Sequence, residues 1–243
     1  MRLTIINLSS VVHTEFNNAI HAISSQVSRD FEPEWGGTAT LVAVNRKTLP
    51  ARKVPIDGIH HAIIYVGNSS ADPNTGVDDA LGYHSATYGN IPFGFIYMDV
   101  CKEYGEVWTS TLSHEVLELL ADPSAALSVA GPDPKKPNHP VHRDLEVCDP
   151  VQGDSYKVQG VEVSNFVTKA YFGLLGGSGS TNFMGLDLEA FGVRPGGYFQ
   201  YEDGNRTHQV QGAKVDAARR ETVREKMKLG RRNARRMNFF PRG

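Results

Sequence analysis

The order of elements along the chain predicts an α+β fold: an opening strand, an amphipathic helix, several β-rich runs, then a helix bearing a polar stripe. The hydrophobic period changes from strand-like in RLTIINLSSVV to helical in HTEFNNAIHAISSQVSRDF, where Phe16, Ile20, Ile23 and Val27 share one stripe. The β-rich runs that follow are not separated by helices, which argues against repeated βαβ units. A single later helix combines an apolar face with a row of His, Glu and Asp side chains.

Residues 37–46 (GTATLVAVNR) and 59–69 (IHHAIIYVGNS) read as strands joined through a Pro-containing turn. ADPNTGVDDA is a polar loop. LGYHSATYGNIPFGFIYMDVC, residues 81–101, gives a short extended stretch, a turn at Tyr88-Gly89-Asn90 and a strand over IPFGFIYMDV. Residues 130–144 hold four prolines without periodicity and are expected to form a loop. DLEVCDPV reads as a short strand, and YKVQGVEVSNFV as a hairpin turning at Gln159-Gly160. LLGGSGSTNFMG has the composition of a flexible loop, and PGGYFQYED that of a last short strand.

At 243 residues and 40% hydrophobic, the chain can bury one substantial core. It has no apolar run of about 18 residues, which argues against a membrane span. MRLTIINLSS lacks a charged segment followed by a long apolar stretch and a cleavage site, so a cytoplasmic or virion-associated protein is expected. Cys101 and Cys148 are too few for a disulfide framework, although they could pair with each other. The net charge of −2 conceals an asymmetry: residues 214–243 carry eleven Lys/Arg against three acids, a net +8, which leaves −10 on the rest. The expected division is a folded unit over 1–212 and a basic, helical or disordered tail over 213–243. That tail suits an anionic or protein partner, and Phe239-Phe240-Pro241 offers it a hydrophobic anchor. Oligomerisation is possible.

The chemistry concentrates in TSTLSHEVLELLADP, residues 109–123. Leu112, Val116, Leu119 and Leu120 form the apolar face of a helix that Pro123 ends. His114, Glu118 and Asp122 fall at i, i+4 and i+8 and line a second stripe. An imidazole and a carboxylate one turn apart can reach one cation, as two histidines do in H-E-x-x-H. Glu115 occupies the position that holds the general base of such sites. The plainer alternative is a solvated helix face. Glu in place of the second His adds negative charge, makes a bound water less acidic, and moves preference from zinc toward calcium or manganese.

A catalytic zinc needs three protein ligands and an open position. RDLEVCDPVQGDSY supplies Glu146, Cys148, Asp149 and Asp154. On an extended strand Glu146 and Cys148 share one face and Asp149 takes the other, so they cannot all approach the helix without a turn. Asp122 competes with them from the helix stripe itself, and Cys148 fits better as a small buried residue. His84, just before the strand expected beside the helix, could bind substrate or brace a ligand; the plainer alternative is a packed or surface histidine.

Four segments together, GYHSATYGNIPFGFIYMD, WTSTLSHEVLELLADP, EVCDPVQGDSYKVQGVEVSNFV and PGGYFQY, resemble a group of bacterial and phage proteins related to zincin-type metallopeptidases. The H-E-x-x-E helix with its E-V-x-D segment is also similar to a plant phosphate-induced protein family. The resemblance spans roughly residues 80–201. It implies a zincin-like fold, a mixed twisted sheet with a back helix and an active-site helix. It further implies zinc on His114 and Glu118, with Asp149 or Glu146 in the second segment and Glu115 as base. The expected activity is a zinc-dependent hydrolase cleaving peptide or protein, with His84 orienting the substrate carbonyl. The alternative is a catalytically silent zincin-like binding or virion structural protein whose basic tail mediates assembly.

Overall fold

A computed structural model describes residues 1–45, 62–70, 82–86, 91–174, 179–204 and 206–213. The expected turn at 88–90 and the basic tail from 214 onward lie outside the described residues.

The chain builds a mixed α+β structure on a five-stranded sheet. Its strands are β1 (Arg2–Asn7), β2 (Thr40–Asn45), β3 (Ala62–Gly67), β4 (Gly82–Ala86) and β5 (Pro92–Tyr97), in the order β2-β1-β3-β5-β4. β1, β2, β3 and β5 run parallel, and β4 pairs antiparallel with β5, placing His84 opposite Gly94. The central strands are buried along almost their whole length, which is why TIIN, AIIYV and PFGFIY read as continuous apolar runs.

Helix α1 (His13–Gln26) continues through a π-helical turn, Val27–Phe31, into the short α2 (Glu32–Trp35). Phe16, Ile20, Ile23 and Val27 are all buried, as their spacing predicts. The strand expected over 91–100 stops at Tyr97, and Met98–Glu103 turns into helix α3. The Asp99 carboxylate accepts the amides of Ser70 and Val100 there, rewarding a turn instead of further ladder pairing.

Helix α4 (Trp108–Ala121) carries the polar stripe and is buried on nearly every side, from Thr109 to Leu119. Beyond it the proline-rich segment is a hairpin and not a loop. β6 (Ser128–Pro132) and β7 (Pro140–Asp144) pair antiparallel, with Pro132 opposite Pro140 at the turn end. Two of the prolines thus sit at strand termini and the other two in the connection, where no ladder amide is needed. β10 (Tyr198–Glu202) and β11 (Thr207–Gln211) complete a four-stranded sheet in the order β11-β10-β7-β6, so the strand expected to be last is followed by another.

The hairpin expected around Gln159-Gly160 is present as β8 (Ser155–Val158) and β9 (Val161–Ser164). Both turn residues have positive φ, 52° and 83°, the mirror-image turn that suits a two-residue connection. The described end of the Gly/Ser segment, residues 179–185, is more constrained than its composition suggests. Fully buried Asn182 bonds Leu186 in both directions and accepts from Asn165.

No helix among the described residues is long and apolar enough to cross a membrane. Cys101 and Cys148 are buried free thiols and do not pair.

Candidate metal centre

Two features of the chain bring the site together: the one-turn spacing on α4 and an irregular segment after β7. Residues 145–151 were expected as a strand, but the chain bends into a single helical turn at Asp149–Val151. The reason lies across the gap. Glu118 Oε1 accepts the backbone amides of Cys148 at 3.2 Å and Asp149 at 3.3 Å, so a helix carboxylate replaces a strand partner. This turn relieves the face restriction of an extended strand, so that Asp149 reaches His114 on the helix while Glu146 faces His84 on β4.

His114 Nε2 lies 3.2 Å from Glu118 Oε2 and 3.2 Å from Asp149 Oδ1. Donors bound at about 2.0–2.2 Å to one tetrahedral cation are about 3.3–3.6 Å apart, so both separations are close to an edge of such a site. His84 stands on the other side of Glu118. Its Nδ1 is 3.4 Å from Glu115 Oε2 and 3.8 Å from Glu118 Oε2, and its Nε2 is 4.0 Å from Glu146 Oε2. Two trios offer donor atoms within 4.8 Å of one another: His114, Glu118 and Cys148, and His84, Glu115 and Glu118. Asp149 and Glu146 border these trios without belonging to either. For the His114 side the direct 3.2 Å approach of Asp149 outweighs membership of Cys148 in a looser trio. Burial and the neighbouring Glu118 carboxylate both push the Cys148 thiol up, against the thiolate a metal requires.

The electrostatics of the centre follow from burial. Desolvation disfavours a charged His114, but Glu118 and Asp149 outweigh it and hold the imidazolium well above the ordinary histidine range. A divalent cation would take the place of that proton.

Every site residue expected from the sequence is present in this cluster: His114, Glu115, Glu118, Glu146, Asp149 and His84. His84 is held among carboxylates, closer to Glu115 and Glu118 than a purely substrate-facing role would place it. Asp122, the third member of the helix stripe, is spent elsewhere. Its carboxylate accepts the amides of Ser124, Ala126 and Leu127 and the Ser124 hydroxyl, organising the turn that leaves α4.

Sequence reasoning missed Tyr198. This buried phenol donates to Asp149, and burial together with the Asp149 and Glu118 charges pushes its ionisation far up, so it remains a donor. A signal existed in the glycines before it. A side chain at Gly197 would collide with the backbone of Asp149 and Pro150, so only glycine lets β10 approach the turn that carries Asp149. Gly82 does the same on β4, where a Cβ would lie 2.8 Å from Glu115 Oε1.

His114 and Glu115 also line a small, half-open depression with Glu106, Ser110, Thr111, Gln152 and Ser164, with room for about one water-sized molecule. It gives the centre an approach from outside. Comparison with family models, curated proteins and solved structures finds no match for this chain.

Proposed function

We propose that the chain is a zincin-like, metal-dependent hydrolase that cleaves peptide or protein substrates. The observation that carries this reading is the meeting of Glu118 and Asp149 at His114 Nε2, 3.2 Å each, with Glu115 alongside in the same depression. His114, Glu118 and Asp149 would hold the cation, and Tyr198 would fix the Asp149 carboxylate from outside, as partners of metal ligands do. A bound zinc supplies Lewis acidity toward the scissile carbonyl. Glu115 takes the proton of the attacking water and returns it to the departing amine.

The mixed sheet supports the same reading. Among the described residues β4 is one of the two edge strands of its sheet, and an edge strand can pair with an extended peptide. β4 also carries His84 into the centre, so peptide pairing and metal chemistry would share one strand.

The test combines metal analysis with cleavage of casein or an unstructured peptide. The purified chain should carry zinc, and Glu115→Gln should lower cleavage by at least about 100-fold, the range of a general base, with metal still bound at His114. A folded, metal-free protein, or equal cleavage by the variant, overturns the proposal.

A further inference from the structure

We infer that the cluster holds two divalent cations, with Glu118 between them and with His84 and Glu115 as ligands of the second. This rests on the reading of His114, Glu118 and Asp149 as the first ion's ligands.

Glu118 divides its oxygens by function. Oε1 accepts two backbone amides, at Cys148 and Asp149. Oε2 points between the two histidines, 3.2 Å from His114 Nε2 and 3.8 Å from His84 Nδ1. Donors at about 2.1–2.2 Å from one ion are about 3–4 Å apart over the usual range of coordination angles. The His84–Glu115 separation of 3.4 Å and the His84–Glu118 separation of 3.8 Å both lie in that range. A single oxygen shared by two ions sets them about 3.5–4 Å apart, the spacing of two-metal hydrolytic sites.

A second observation is independent of these distances. Glu115 Oε2, aimed at His84 Nδ1 from a side chain more than nine-tenths buried, has no hydrogen-bond partner among the described residues. Buried polar atoms left in this way imply a ligand. Nδ1 is the His84 nitrogen aimed at Glu115 and Glu118. Nε2, on the far side of the ring, faces the Glu146 carboxylate at 4.0 Å, too far for a hydrogen bond but on the side that the outer-shell partner of a ligating histidine takes.

Charge points the same way. Glu115, Glu118, Glu146 and Asp149 together carry four negative charges, which two divalent ions balance with both imidazoles neutral. The second position, one nitrogen with two carboxylates, is the more oxygen-rich and suits manganese as well as zinc. Glu115 would bind through Oε2 and keep Oε1 for proton transfer.

The test loads the full-length chain with Mn²⁺, removes excess by gel filtration, and measures bound metal and the electron paramagnetic resonance spectrum. Two equivalents and an exchange-coupled spectrum are expected, falling to one equivalent and an isolated-ion spectrum in His84→Asn. One equivalent with an isolated-ion spectrum in the unaltered chain overturns the second site and leaves the His114 centre standing. No bound ion overturns both. Two equivalents in the unaltered chain and in His84→Asn alike would put the second ion elsewhere and also overturn the inference. If His84→Asn does not fold, the spectrum of the unaltered chain decides.

Discussion

Helix α4 buries polar side chains in two different ways. On the stripe of Thr109 and Ser113 the polar groups close into a network. Ser113 Oγ donates to Gln26 Oε1 at 2.6 Å and accepts the Ser164 amide. Gln26 Nε2 donates to the Ser164 carbonyl and the Tyr156 hydroxyl, which donates to Asp30. Thr109 Oγ1 completes the contact with the β8–β9 hairpin through the Glu162 carbonyl. Around the stripe of His114, Glu115 and Glu118, imidazoles and carboxylates crowd at 3.2–4.0 Å, and buried His84 Nε2 and Glu115 Oε2 find no hydrogen bond among the described residues. Both stripes are equally buried, so burial does not separate them. What separates them is satisfaction: a closed network holds elements together, whereas an open one leaves polar atoms available to a ligand.

The sharpest way to break this contrast is to remove Asp149. Asp149→Ala should weaken metal binding at His114 by at least about 100-fold, more than loss of an outer-shell partner usually costs. Cys148→Ser, one residue away, should change it by less than about tenfold, because the protonated thiol is a poor ligand. Competition with a chromophoric chelator measures both. The reverse order would make Cys148 the ligand and Asp149 a support.

The closed network predicts the opposite phenotype. Gln26→Ala leaves the Ser113 hydroxyl and the Ser164 carbonyl without their partner inside the core, a cost of about 3 kcal/mol. Urea unfolding should show that loss while metal content stays unchanged. A change in metal binding with little loss of stability would mean that the two stripes are coupled.

These two stripes were not equally legible in the sequence. His114 and Glu118 could be paired from one-turn spacing, and the hairpin at Gln159-Gly160 from its turn residues, because both depend on local geometry. Asp122 has the same spacing, yet its carboxylate caps the turn at 124–127, since Pro123 ends the helix and leaves those amides to be satisfied. The bend at Cys148–Asp149 could not be read locally, because its hydrogen-bond acceptor is Glu118, thirty residues earlier in the chain. The β6–β7 hairpin was hidden for a related reason. Pro132 and Pro140 mark the strand ends, and only the long-range partner β10 shows that the residues flanking them are extended. The Gln26 network joins residues up to 138 positions apart, which no periodicity reveals.

The smallest effect expected is also the most specific to the open stripe. In the metal-free chain Glu118 and Asp149 raise the folded-state pKa of His114 above its ordinary 6.5, against the pull of burial. A raised pKa means the folded state binds that proton more tightly than the unfolded chain. Its contribution to stability is therefore complete below about pH 6.5 and is lost as pH rises through the folded value, at no more than about 1.4 kcal/mol per pH unit. A cation occupying the same place must displace the proton, so metal affinity should rise with pH over the same interval. Thermal unfolding in chelator should show Tm falling as pH increases above 6.5, while the Tm gain on adding zinc grows. His114→Gln should flatten both trends, and Gln26→Ala should lower Tm at every pH without altering either slope. A pH-independent Tm in chelator would mean that the carboxylates do not hold a proton on His114, and the open stripe would then be open for another reason.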